Sequence, residues 1–325
     1  MKILIPGPAF EDSFSENVAI ALRDMGHSVA QLPETHSGYY ALPRLLWRAA
    51  QERLWGYRPT ARDRAVLRLA RTFKPDVVLG LTWDIHPEVL AELGQACRGR
   101  RVLWWADPPA NSQRWGVANP EWDVIYAKDP ELVRKARLLG KRSGLLHEAM
   151  NPKWHRPVAD AANSTVAVVG NYYAFRQALC LRLHRDGVAL GVYGSKLPGW
   201  AHPEIRRLHT GRYVVREEKS RIFGEALACL NTTSFAEGNS LNCRAFEIAG
   251  AGGLQLLEHR DIVSECFEPG RELLTFRTYE ELLESIQRAM RHPEEMKTIR
   301  AAAAKRALAQ HTYAHRLERI LGELA

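Results

Sequence analysis

Short apolar runs alternate with longer stretches whose apolar residues recur at helical spacing, and this alternation runs along the whole chain. Residues 2–6 predict a strand, followed by a turn at Gly7-Pro8. Val18, Ala21, Leu22 and Met25 then predict an amphipathic helix over Ser15–Met25, which Gly26-His27 ends before a strand at Ser28–Leu32. Two helices follow, Leu42–Trp55 and Ala61–Phe73, the second with Val66, Leu69, Ala70 and Phe73 as its apolar stripe. Strands at Val77–Leu81, Val102–Trp105, Asp123–Ala127 and Gly144–His147 alternate with helices at Pro87–Cys97 and Asp129–Gly140.

Asn151–Pro157 is proline-bearing and Val158–Ser164 mostly small, which reads as a link between domains. Beyond it the rhythm starts again. Strands are predicted at Thr165–Val169, Ala189–Tyr193, Ala228–Thr232 and Leu254–Leu257, and helices at Phe175–His184 and Glu217–Leu227. A long helical tail is predicted over about Pro293–Leu324. Strands and helices in strict alternation mean parallel sheets covered on both faces. The expectation is an α/β protein of two Rossmann-like domains, residues 1–157 and 158–325, which the length of 325 residues supports.

Composition narrows the class. Apolar content of 46% and charged content of 25% suit a globular protein. No apolar run approaches the ~18–20 residues that span a bilayer, and the N-terminal run is too short for a secretory signal. Five scattered cysteines without a Cys-x-x-Cys pattern predict reduced core thiols, and with them a cytoplasmic location.

The net charge of +8 is unevenly placed. Gly38–Lys74 holds eight Arg and one Lys against Glu52 and Asp63, a local excess of 9 − 2 = +7. Solvated helix faces are commonly basic. Interleaved Tyr39, Tyr40, Trp47, Trp55 and Tyr57 also suit a contact surface for an anionic membrane leaflet, an acidic glycan or nucleic acid. The first of these would place the protein peripherally at the inner membrane face.

Several chemistries are excluded by missing motifs. There is no Gly-x-Gly-x-x-Gly after the first strand, no Asp-x-Asp, no His-Glu-x-x-His, no clustered Cys/His set, no Walker A loop and no Gly-x-Ser-x-Gly elbow. No metal and no cofactor are expected.

The most informative stretch is Asn231–Arg277. It reads as a polar loop, a helix capped by Asn239 or Ser240, a glycine stop at Gly250, Gly252 and Gly253, and a buried strand. Arg244 and Glu247 are three apart and share a helix face. A helix start with backbone N–H groups at Ser240, Leu241 and Asn242, a guanidinium and a carboxylate suits a ligand carrying both phosphate and sugar hydroxyls. A nucleotide sugar is such a ligand. Glu247 would accept from ribose hydroxyls, or serve only as a partner for Arg244. Gly194-Ser195-Lys196 after a strand offers a lysine to a diphosphate. Asp107 ends a strand at its carboxyl edge and is a candidate acceptor contact or general base, or a turn device before Pro108. Ser13, Phe14 and His147, with Glu148 beside it, are candidates for the acceptor side.

Arg-Ala-Phe-Glu-Ile-Ala-Gly-Ala-Gly-Gly (244–253) resembles the Arg-x-Phe-Glu-Ala-x-Ala-x-Gly core of the CgeB-like, spore-maturation-type glycosyltransferases of the GT-B fold. The similarity extends through Phe267–Glu272, Tyr279–Met290, His292–Glu295 and His311–Arg316. It also takes in Val168-Val169-Gly170-Asn171 with Arg176, and Val192-Tyr193-Gly194, so it covers roughly 165–320. The resemblance implies a donor-binding C-terminal domain, an acceptor-binding N-terminal domain facing it across a cleft, and a tail that returns to the first domain. Arg176 resembles the family's phosphate-side arginine. Related retaining enzymes carry a second glutamate eight residues before Glu247. That position is Asn239 here, so Glu237 and Asn239 stand as alternatives for its role. The expected activity is metal-independent transfer of a sugar from a nucleotide diphosphate sugar to a hydroxyl on a glycan, lipid-linked, protein or small-molecule acceptor. A base in DNA as acceptor, or sugar-nucleotide binding without catalysis, are the competing readings.

Overall fold

The protein is described from a computed structural model covering residues 1–7, 9–32, 42–82, 84–97, 99–112 and 114–324. Pro8, Tyr39 and Tyr40 of the readings above lie outside the described residues. The chain forms two compact units, Met1–Leu146 with Leu317–Ala325, and His147–Arg316.

The first unit runs β1 (Lys2–Ile5), α1 (Phe14–Asp24), β2 (Ser28–Gln31), α2 (Leu42–Trp55), α3 (Ala61–Phe73), β3 (Val77–Leu81), α4 (Pro87–Ala96), β4 (Arg101–Trp105), β5 (Val124–Ala127), α5 (Pro130–Leu138) and β6 (Arg142–Leu145). Its strands form one parallel sheet in the order β2-β1-β3-β4-β5-β6. Local signals set the helix starts. Ser13 accepts from the Glu16 N–H at the head of α1, and Thr60 with Asp63 closes a capping box on α3. A core of Leu4, Val66, Ala70, Val78, Leu90, Leu103, Trp105 and Trp122 packs the helices to the sheet.

The second unit runs β7 (Val166–Val169), α6 (Ala174–Arg185), β8 (Leu190–Tyr193), α7 (Pro203–Leu208), α8 (Arg216–Glu225), β9 (Ala228–Asn231), α9 (Cys243–Gly250), β10 (Gln255–Glu258), α10 (Val263–Cys266), β11 (Leu274–Phe276), α11 (Tyr279–Arg291) and α12 (Pro293–Gln310). Its parallel sheet has the order β11-β10-β9-β7-β8. Val166 and Val168 belong to one buried cluster, Ala167 and Val169 to another. Burial on both faces explains why β7 is an unbroken apolar run instead of an alternating one.

The tail is not one helix. α12 stops at Gln310, and α13 (Tyr313–Gly322) begins after a break at His311-Thr312. The break has a hydrogen-bonding cause. The Met150 N–H donates to the His311 carbonyl at 2.9 Å, and the Tyr313 N–H donates to the Met150 carbonyl at 3.1 Å. These contacts hold the peptides that a continuous helix would pair internally, and they help place the chain from His147, the proline-bearing stretch Asn151–Pro157 included, in the second unit. From Leu317 onward the chain belongs to the first unit.

Candidate functional site

In the second sheet, β7 has β8 on one side and β9 on the other, so chain connections leave it in opposite directions. Ligands of open parallel sheets bind beyond the carboxyl ends of the strands at such a reversal. The loops that meet there are 170–173 after β7, 194–196 after β8 and 232–242 after β9.

These loops are stitched together by side chains. The Arg176 guanidinium donates to the Thr232 hydroxyl (3.0 Å), the Thr232 carbonyl (2.7 Å) and the Asn171 carbonyl (2.7 Å). The Tyr173 hydroxyl also donates to the Thr232 carbonyl, at 2.6 Å. Ser195 donates to the Asn171 side chain at 3.0 Å. Arg176 is buried, and its role in this structure is to join the ends of β7 and β9. Gly194, at φ +149°, sits so close to β7 that a Cβ on it would fall 2.1 Å from the Gly170 carbonyl oxygen. Lys196 is exposed beside it.

α9 starts later than its sequence suggests. Its cap is Asn242, whose side chain accepts from the Ala245 N–H at 3.2 Å. The two residues expected to cap it are engaged elsewhere. Ser240 donates to the Glu237 carboxylate, and Asn239 accepts from the Ile262 N–H at 3.3 Å. Asn242 is held in turn by reciprocal bonds with Asn231, which also donates to Gln255. Ser240 and Leu241 are fully buried, backbone included, so neither is open to solvent. At the other end, Gly252 N–H bonds the Ala249 carbonyl and Gly253 N–H the Ile248 carbonyl, a Schellman stop with Gly252 at φ +72°.

Arg244 and Glu247 therefore lie in the first turns of α9, and their side chains meet, Nη1 to Oε2 at 3.2 Å. Sequence reading missed two further members of this group. The Lys219 ammonium donates to Glu247 Oε1 at 2.9 Å, and His155 Nε2 lies 3.7 Å from the same oxygen. Glu247 is only 4% exposed, but its neighbours are charged rather than apolar. Burial alone would raise its pKa. The charges of Lys219, Arg244 and His155 outweigh that and bring it to about 2. Lys219 carried one faint signal in the sequence: it lies three and four residues before Ile222 and Phe223, on the face of α8 that is buried. His155 carried none.

The Arg244 and Arg176 guanidiniums both approach the Gly170 Cα, where an added Cβ would lie 3.1 and 3.0 Å from them. Two cations this close lower the pKa of Arg176 further, after burial, which is the larger cause. With Lys219 on its other oxygen, the Glu247 carboxylate is set against several positive groups. Such an arrangement accepts an anion.

Loop 232–242 is pinned from the strand beside it. Arg260 donates to the carbonyls of Glu237 and Gly238 and to the Thr233 hydroxyl, and Glu258 accepts from the Thr233 N–H and hydroxyl at 3.1 and 3.0 Å. Asn239 is part of this anchoring, which leaves Glu237 as the carboxylate of the loop.

Ser13, Phe14 and Asp107 belong to the first unit. Ser13 is used as the cap of α1, and Phe14 meets the Trp104 ring edge-on at 4.9 Å. Asp107 follows β4 at the carboxyl edge of the first sheet, half-buried. His147, expected on the acceptor side, belongs to the second unit, where its ring lies 6.4 Å from that of Phe246.

The model of the glycosyl transferase-like family matches residues 174–322, the span that holds Arg176, Lys219, Arg244 and Glu247. No curated protein matches the chain in sequence. Among solved structures it is similar to HepE (Alr3699) of Anabaena in complex with UDP-glucose, at 12% identity and a TM-score of 0.69 over 100% of this chain and 99% of that one. Sucrose-phosphate synthase of Thermosynechococcus elongatus gives 15% and 0.70, over 99% and 98% of the two chains. The UDP-forming α,α-trehalose-phosphate synthase of Burkholderia xenovorans gives 12% and 0.60, over 99% and 98%. Residues 174–322 match the glycosyl transferase-like family, and the whole chain has the two-domain GT-B fold of these glycosyltransferase structures.

Proposed function

We propose that the protein moves a sugar from a nucleotide diphosphate sugar to an acceptor hydroxyl without a metal ion, with the donor held by the second unit. The observation that carries this reading is the Lys219–Glu247–Arg244 group, in the first turns of α9 at the carboxyl edge where the second sheet reverses direction. The chemistry asks for a site that stabilises charge growing on a diphosphate as the glycosidic bond breaks. Preorganised cations and N–H dipoles do this. Arg244, Lys196 and the N-terminal peptides of α9 are assigned to the diphosphate, and Arg176 to positioning the loops that carry them.

Each oxygen of Glu247 is held by one cation, Lys219 on the inner side and the more exposed Arg244 on the outer. Ribose hydroxyls would displace Arg244 from Oε2 and free its guanidinium for the diphosphate. Lys219 would keep Glu247 ionised throughout. Glu237 is assigned to the donor sugar, and Asp107 to the acceptor hydroxyl as general base. The match at Arg244–Gly253 supports a place in the CgeB-like group. HepE bound to UDP-glucose makes a uridine diphosphate sugar the first donor to test.

Thermal-shift titration with a panel of nucleotide sugars tests the reading, because a donor stabilises only the folded state it binds. The expected result is a concentration-dependent rise with one nucleoside diphosphate sugar, lost in Glu247→Ala. A folded Glu247→Ala protein with unchanged donor affinity would remove the assignment. Asn239 at the position of a second acid favours the alternative of a sugar-nucleotide binder without catalysis. Release of nucleoside diphosphate by the purified protein decides against that alternative.

A further inference from the structure

α2 carries its large apolar side chains outward. Leu46 and Leu54 are 62% and 69% exposed, and Trp47 and Trp55 are 61% and 51% exposed. At helical spacing, positions 46, 47, 50 and 54 share a strip about 100° wide. Leu46, Trp47, Ala50 and Leu54 therefore form one apolar strip, and Trp55 extends it at the helix end. Single exposed apolar residues are ordinary; four large ones within ten positions of one helix mark a contact surface.

Positive charge lies beside this strip. Arg53 on α2 and Arg58 just beyond it are exposed. The Arg58 guanidinium donates to the Trp55 carbonyl at 2.9 Å, and that of Arg64 to the Pro59 carbonyl at 3.1 Å, which keeps both at the end of α2. α3 buries Val66, Leu67 and Ala70 and exposes Arg64, Arg68 and Arg71 at positions i, i+4 and i+7. Arg71 pairs with Glu92.

We propose that this surface seats the protein on an anionic phospholipid bilayer. Leu46, Trp47, Leu54 and Trp55 enter the boundary between headgroups and acyl chains, while Arg53, Arg58 and the α3 arginines meet lipid phosphates. The combination selects this partner. Indole and aliphatic side chains gain by leaving water at that depth, and arginine gains from the anionic surface above it. Nucleic acid would satisfy the guanidiniums but gives two leucines nothing to bury against. A second copy of the chain would cover the leucines but bring two segments of +7 together.

The surface lies in the first unit and the proposal is independent of donor binding, so its test is separable from that of the transferase reading. The full-length protein is sedimented with vesicles of phosphatidylcholine alone and of phosphatidylcholine with phosphatidylglycerol. Binding is expected only to the anionic vesicles, and salt should weaken it. The Leu46→Ser, Trp47→Ser, Leu54→Ser, Trp55→Ser variant should keep its melting profile and donor response while losing at least about ten-fold in vesicle affinity. Arg53→Gln and Arg58→Gln should each weaken binding roughly five-fold. Four outcomes would overturn the proposal. These are no vesicle binding, equal binding to both vesicle types, vesicle binding unchanged in the serine variant, or duplex DNA displacing the vesicles with an affinity the serine variant retains.

Discussion

The ammonium of Lys219 lies 2.9 Å from a carboxylate oxygen of Glu247, and each side chain is only 5% exposed. A buried pair with this geometry contributes little when both partners are replaced and a great deal when one is, because the survivor loses its nearest counter-charge, Glu247 then keeping only Arg244 and His155 of its cationic neighbours above. Lys219→Met should therefore cost about 3–5 kcal/mol in urea unfolding. The double variant Lys219→Met, Glu247→Leu should recover much of that loss. Additive losses in the double-mutant cycle would mean that the two residues act independently.

The same pair gives a pH signature. The pKa of Glu247 is lowered to about 2, so the folded state releases the proton more readily than the unfolded one. The stabilisation is present above the unfolded pKa, near 4.3, and is lost as pH falls toward 2. His311 shifts stability in a higher window. Burial first, and the Arg316 charge second, lower its pKa to about 4, while the bond from its ring to the Cys266 carbonyl works the other way. Between pH 6.5 and 4 the unfolded chain binds the proton and the folded one does not, so stability falls with acidification across that range. The loss saturates at about 3 kcal/mol below pH 4. His311→Asn should flatten the profile between pH 7 and 4.5 and leave the fall below it, to which Glu247 contributes. A profile unchanged by His311→Asn would mean that this ring protonates in place.

Arg176 and Arg244 approach the same glycine, but substitution should separate them. Arg176 is buried and spends its donors on Thr232 and Asn171. Arg176→Gln should destabilise the fold by about 2–4 kcal/mol through unpaired carbonyls and a lost anchor. Arg244 has a side chain 21% exposed and pairs with Glu247. Arg244→Gln should leave the unfolding midpoint nearly unchanged and weaken nucleotide-sugar binding by roughly 10- to 100-fold, the worth of a charged hydrogen bond to phosphate. Calorimetric titration and urea unfolding on both variants check the separation, and a reversed pattern would exchange their roles.

What was legible in the sequence followed from period and punctuation. β3, α2 and α3 have the bounds their apolar spacing predicts, and the Gly252–Gly253 stop after α9 is where the glycines put it. Three features were not legible. The start of α9 moved to Asn242 because distant Ile262 engages Asn239 and, within the loop itself, Glu237 engages Ser240. The tail breaks at His311 because Met150, far away in sequence, supplies its hydrogen bonds. Lys219 lies in a helix that reads as solvated, Arg-Glu-Glu-Lys-Ser-Arg, and only tertiary packing turns it toward Glu247. For Asn239, His311 and Lys219 the deciding partner is distant in the chain, and spacing does not name it.

Gly194 offers the sharpest structural test of the loop geometry. Its φ of +149° lies in a region that other residues essentially never occupy, and an added Cβ would fall 2.1 Å from the Gly170 carbonyl oxygen. The obstruction is backbone, so no side chain can rotate away from it. Gly194→Ala must part the ends of β7 and β8, at a cost of about 2–4 kcal/mol. Gly199, five residues on, has nothing within 4 Å of its added Cβ and serves as the control. Gly199→Ala should leave unfolding and donor response unchanged. Gly194→Ala should lower the unfolding midpoint and weaken the nucleotide-sugar response together, because the displaced loops carry Asn171 and Lys196. A Gly194→Ala protein with intact stability but no donor response would show that the contact between the two strands matters to the ligand and not to the fold.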